Sequence, residues 1–273
     1  MLKQLKYDLK VLIKRGRLLT MILFITLIAS YLSFSLYYHK NIADIGNYSN
    51  SYFLIFGKTT PIPTLFMYSL PLFIAIPHSD IDFVETSLKS QLFMKVKKNV
   101  YYISKVITSF LVGFSMVAVF LLLIYAFMFV MLKSNTTYFP FLSWNYPNNP
   151  ESSWIFLYKF YFNFPILYNL FYILLISIYS GFLSVIAYCF SLLIKSRPFV
   201  YLSSFFVSIV CILIPMLFRN GIAVWAPQNV YSPFPMTSSN PGIFSIPMGM
   251  IFWFIIFTLF IVSVVTYKIR VEE

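Results

Sequence analysis

Residues 78–105 read HSDIDFVETSLKSQLFMKVKKNVYYISK, a polar stretch with an apolar run on either side. The stretch holds three of the chain's eight acidic residues (Asp80, Asp82, Glu85) and five of its twenty basic ones (Lys89, Lys95, Lys97, Lys98, Lys105). What surrounds it decides how it is read. The 273-residue chain is 60% hydrophobic and 10% charged, with a mean hydropathy of +0.81. Soluble domains carry about 25% charged residues. A chain this poor in charge cannot cover a globule with polar surface, so lipid is the solvent for most of it. Residues 78–105 are then a loop between membrane spans.

Working outward, 61–77 is a short apolar run with Pro61, Pro63 and Pro71, the last of which should kink a helix by removing an internal hydrogen bond. Before it come a polar loop and an uncharged run at 18–38, long enough for roughly 30 Å at ~1.5 Å per residue. In 1–17, Leu2, Leu5, Leu9 and Leu12 recur at helical spacing, as do Lys3, Lys6, Lys10, Lys14 and Arg17. This predicts an amphipathic helix in the headgroup layer, its cations toward anionic lipid. Downstream, apolar runs at 106–132, 166–194, 199–218 and 247–267 complete six expected spans. The segments 133–165 and 219–246 are too polar or broken to span and read as outer pieces. The expectation is one all-α integral membrane domain over 1–273, with six transmembrane helices and an N-terminal interfacial helix.

Placing the N-terminus, the 78–105 loop, the 195–198 turn and the C-terminus on one side puts 15 of the 20 Lys and Arg there, against five on the other. By the positive-inside rule that side is the cytoplasm, giving a multi-pass protein of the cell membrane with both termini inside. The bias also accounts for the net charge of +12 without nucleic acid as a partner. The expected spans contain no Asp, Glu, Lys, Arg or His, which argues against an ion-coupled carrier or a channel. No nucleophile–base pair and no metal set is legible, so no catalytic or metal-ligating residue is assigned. Cys189 and Cys211 lie in apolar runs and read as packing residues. Tyr168, Asn169, Tyr172 and Tyr179 fall near a helical period. They are candidates for a substrate path, with structural packing as the plainer reading. A bundle so empty of charge is either passive or driven by a partner.

Within the loop, Asp80 and Asp82 stand at the inner end of the second span, with Glu85 one turn on. From Ser87 to Lys98, Leu88, Leu92 and Val96 recur every fourth residue among lysines, which reads as a short amphipathic helix. Tyr101 to Lys105 leads into the third span. A solvated, positive-inside connection is the plain alternative. The arrangement resembles the permease subunits of ABC exporters of the ABC-2 type. In those, an acidic stretch precedes a coupling helix and a basic-aromatic segment enters the third span. Asp80, Asp82, Glu85, Leu88, Leu92, Lys97, Lys98, Tyr101 and Lys105 take those places here, with Thr86 where a Gly is common. The resemblance implies a cytoplasmic coupling helix that docks on a separate ATP-binding subunit, with ATP and Mg held by that subunit. This chain has no phosphate-binding loop of its own and is not expected to be an enzyme. It implies a permease acting as a homodimer, or as a heterodimer with a related subunit. The cargo expected from the aromatic interior is amphipathic: an antimicrobial or toxin-like peptide, a drug or a lipid-linked species. A non-transporting scaffold or sensor subunit is the alternative from another class.

Overall fold

The computed structural model describes residues 2–14, 16–38, 70–85, 89–131, 160, 163–217 and 245–271. Among them every regular element is helical: α1 (Leu2–Lys14), α2 (Arg17–Tyr38), a helical segment at 70–75, α3 (Ile81–Glu85), α4 (Lys89–Lys95), α5 (Lys98–Met131), α6 (Pro165–Leu193), α7 (Arg197–Leu217) and α8 (Ser245–Val271). The punctuation follows from the sequence. Gly16 separates α1 from α2 with φ +67°, a left-handed conformation that suits glycine. Pro165 opens α6, where its missing N–H costs nothing. Pro198 likewise sits in the first turn of α7, after the short break at 194–196. Among the described residues, three helices are long and apolar enough to cross a membrane: Lys98–Phe127, Pro165–Leu193 and Met248–Val271. Thr20–Tyr31 and Arg197–Cys211 are shorter apolar stretches. The chain therefore has the character of a membrane protein. The expected outer segments at 133–159 and 219–244, and the first part of the 61–77 run, lie outside the described residues.

Helices α5 and α6 form the central pair, with α2 and α1 packed on α5, and α7 and α8 on α6. Small residues bring the central pair together. A Cβ added to Gly113 would lie 2.5 Å from Ser184 Cβ and 2.8 Å from the Ser180 carbonyl oxygen. One turn earlier, Ser109 Oγ donates to the Ser184 carbonyl at 2.9 Å and meets Ser184 Oγ at 3.1 Å. Close approach through small residues, with hydroxyls bonded across it, is how helices associate where lipid removes the hydrophobic drive. Ser177 and Ser180 bond back to the carbonyls of Ile173 and Ile176 and so need no other partner. Apolar side chains fill the rest. Leu12, Ile25, Leu70, Ile74, Val112, Phe120 and Ile173 share one core. Tyr101, Tyr102, Val185, Tyr188, Ile261 and Val264 share a second.

The outer faces stay apolar and exposed, as at Leu23 and Leu27 of α2 and Ile251, Ile255, Leu259 and Val262 of α8. Water would penalise such faces and lipid does not. At ~1.5 Å per residue, the 34 residues of α5 span ~51 Å, against ~30 Å of hydrocarbon. The third span was expected to start at residue 106, but the helix starts at Lys98. Its first two turns therefore bring Tyr101, Ser104 and Lys105 onto the central helix itself.

Candidate functional site

The charged and polar groups of the 78–105 loop converge on the N-terminal end of α5. Lys105 is fully buried, and its Nζ donates to Glu85 Oε1 at 2.7 Å and to Asp8 Oδ1 at 2.8 Å. Glu85 Oε2 accepts from the Tyr101 hydroxyl at 2.8 Å. Asp8 also accepts from Ser104 Oγ at 2.9 Å and from Gln4 Nε2 at 3.1 Å. Asp8, Ser104 and Lys105 are wholly buried and Glu85 is 4% exposed. One ammonium and two carboxylates, from α5, α1 and α3, thus form a buried cluster joined by five polar contacts. Such a cluster holds only when each partner is in place, because an isolated buried charge costs several kcal/mol on the scale of ~3–5 when one partner is lost. Burial raises the Asp8 carboxyl above its ordinary 3.8, and the Lys105 ammonium opposes that rise.

The rest of the loop is docked around this cluster. Lys89 pairs with Asp82, tying α4 to α3. Phe93 of α4 stands edge-on to Tyr101, with ring centroids 5.4 Å apart, and lies 6.3 Å from Tyr102. Lys98 sits over the Phe93 ring and Lys89 over that of Tyr102. Asp80 is buried and accepts from the Tyr201 hydroxyl of α7 at 3.0 Å, while Arg197 lies over the Phe83 ring. One side of α4 is left outward: Met94 is 84% exposed, and Gln91, Lys95 and Lys97 are exposed beside it.

The sequence-predicted residues therefore divide. Asp80, Glu85 and Tyr101 are buried in internal contacts, and Asp82 is held by Lys89. Leu92 is half-buried against α5, Lys97 is exposed and Lys98 partly so. Leu88 lies outside the described residues. Of the helix expected from Ser87 to Lys98, the described part is helical over Lys89–Lys95 and ends there, because Lys98 already belongs to α5. In α1, Lys6, Lys10 and Lys14 are exposed and Lys3 lies on helical backbone, whereas Arg17, expected on the same helix, is the first residue of α2 beyond Gly16. The face of α1 docked on the protein is Gln4, Asp8 and Leu12, rotated from the expected stripe, with Leu5 and Leu9 only half-buried. Asp8 and Ser104 were not singled out from sequence, and Lys105 was noted only as the basic residue at the entry to the third span. The available signal was a lone carboxylate in a helix otherwise charged only with Lys. Tyr168, Asn169 and Tyr172 are buried, and Tyr179 is half-buried against Phe257. No cluster of His, Cys, Asp or Glu among the described residues has the makings of a metal site. No protein-family model, curated protein or solved structure matches the chain.

Proposed function

We propose that this chain is the membrane-spanning permease subunit of an ATP-driven exporter of the ABC-2 type, with 78–105 as its coupling loop. The observation that carries the reading is the build of the loop. Its inner side is fastened to the central helix by Lys105, Glu85, Tyr101 and Phe93, while Met94, Lys95 and Lys97 face outward. A push on that outer side reaches α5 through buried ion pairs and ring contacts instead of dissipating in a slack connection. The partner implied is a separate ATP-binding subunit offering an apolar socket with acidic residues around it. Two such permease chains, identical or related, would work together.

The full layout proposed is six spans, about 18–38, 61–77, 106–132, 166–194, 199–218 and 247–267, with both termini in the cytoplasm. The proposed cargo is amphipathic, a peptide, drug or lipid-linked species. The candidate path at Tyr168, Asn169, Tyr172 and Tyr179 is closed against α5 and α8 in this arrangement, so transport would separate α6 from those neighbours. The test is co-expression with a phosphate-loop ATPase encoded beside this chain. Met94→Glu combined with Lys95→Glu and Lys97→Glu should abolish co-purification and cargo-stimulated ATP turnover. If both survive the three charge changes, the coupling reading fails. Complex formation without cargo stimulation would instead favour a scaffold or sensor subunit.

A further inference from the structure

Two acceptors in the cluster around Lys105 compete for one hydrogen. Ser104 Oγ lies 2.9 Å from Asp8 Oδ2 and 2.8 Å from the Tyr101 carbonyl oxygen. A hydroxyl carries a single hydrogen, which cannot lie on both lines. If it points to the Tyr101 carbonyl, as serines one turn along a helix do, Asp8 Oδ2 faces an oxygen lone pair in a buried site. The charge count has the same imbalance. Asp8 and Glu85 bring two negative charges and Lys105 one positive, all buried. The groups facing Asp8 are Gln4 on its own helix, Ser104 and Lys105 of α5 and, through Lys105, Glu85 of α3 with Tyr101 behind it. Apart from Arg17 at its first position, the neighbouring α2 has no charged residue.

We propose that the cluster is a proton-binding site, with one proton from bulk solvent held on Asp8 Oδ2 and donated to Ser104 Oγ. Ser104 then donates to the Tyr101 carbonyl, Lys105 keeps its bonds to Asp8 Oδ1 and Glu85, and the cluster becomes neutral. All contacts are filled with no side chain moved. The rise of the Asp8 carboxyl above 3.8 is in the same direction. Loss of the proton leaves net negative charge in a buried site and turns the Ser104 hydrogen from the Tyr101 carbonyl to Asp8 Oδ2, and the uncompensated charge loosens α1 from α5. The docking of the N-terminal helix on the central helix is thus linked to proton uptake. This goes beyond the transport reading and does not depend on it.

The test is carboxyl ¹³C NMR of the full chain in detergent, labelled at aspartate, of which there are four. The Asp8 resonance, identified by its loss in Asp8→Asn, should titrate with a midpoint above 3.8. Glu85→Gln should move that midpoint down, since it removes a neighbouring negative charge and leaves Lys105 to Asp8 alone. Should Asp8→Asn fail to fold, Ser104→Ala identifies the resonance by its shift. A midpoint at or below 3.8 overturns the proposal, and so does a midpoint that Glu85→Gln leaves in place.

Discussion

Lys105 shows how far one residue's role depends on its surroundings. Without it, Asp8 and Glu85 would be two carboxylates sharing a buried site with no cation between them. Lys105→Met is therefore expected to destabilise the chain by ~3–5 kcal/mol, the range for breaking a buried ion pair from one side. The triple variant Lys105→Met, Asp8→Asn, Glu85→Gln should recover most of that loss, because no unpaired charge is left. Thermal unfolding in detergent measures both, and a Lys105→Met protein as stable as the parent would remove the cluster from any account of the fold. Asp8 adds a pH dependence of definite sign. Its carboxyl is raised above 3.8, chiefly by burial. The stability it contributes is therefore complete below its unfolded value and is lost as pH rises through the higher folded value. The Tm of the parent relative to Asp8→Asn should accordingly fall with rising pH from 3.8 upward. A difference that stays flat or grows would contradict that sign. None of this was legible beforehand. Lys105 read as the basic residue at the entry to the third span, and Asp8 lies on the side of its helix away from the lysine stripe. Sequence pattern reports which face of a helix is apolar, but not which helix will dock on it 97 residues away.

At the scale of elements, more could be read. Uncharged runs mark α5, α6, α7 and α8 to within a few residues, except that α5 begins eight residues before its expected span. Periodicity within the run could not show that start, since Lys98 to Lys105 is polar and helical at once. The serines and glycines carried a packing signal whose partner was hidden. Gly113 and Gly181 look alike in the sequence, yet their neighbours differ. A Cβ at Gly113 meets Ser184 Cβ and a backbone oxygen, neither of which can move without moving α6. A Cβ at Gly181 meets ring atoms of Phe110 at 2.7 and 2.8 Å, and a ring can swing. Gly113→Ala should therefore cost ~1–3 kcal/mol, the usual cost of overpacking. In Gly181→Ala, the ~0.5–1 kcal/mol gained from helix propensity should offset most of the ring's displacement. Comparing the two melting temperatures checks this, and an equal loss in both would mean that α5 and α6 can separate freely at Gly113.

At the scale of the whole molecule, the charge pattern and the packing meet. The four basic segments that the positive-inside rule assigns to one side are far apart in the chain. Yet α1 is bound to α5 through Asp8 and Lys105, and α7 meets the loop through Arg197 on Phe83 and Tyr201 on Asp80. The C-terminal part of α8 joins them through Ile261, Val264 and Val265, which pack with Tyr101 and Tyr102. All four thus sit at the same end of the bundle, the end where α5 begins. Charge bias acts during insertion and packing acts in the folded state, so their agreement is more than one argument counted twice. The expected outcome is that Met94→Cys, Lys195→Cys and Arg270→Cys react with a membrane-impermeant maleimide in inverted vesicles but not in right-side-out ones. Asn163→Cys, exposed at the far end beside the start of α6, should show the reverse. The native Cys189 and Cys211 are buried and give little background. Labelling of Met94→Cys and Lys195→Cys from opposite faces would mean that the loop and the α6–α7 turn are not on one side. The transport reading would then lose its coupling surface.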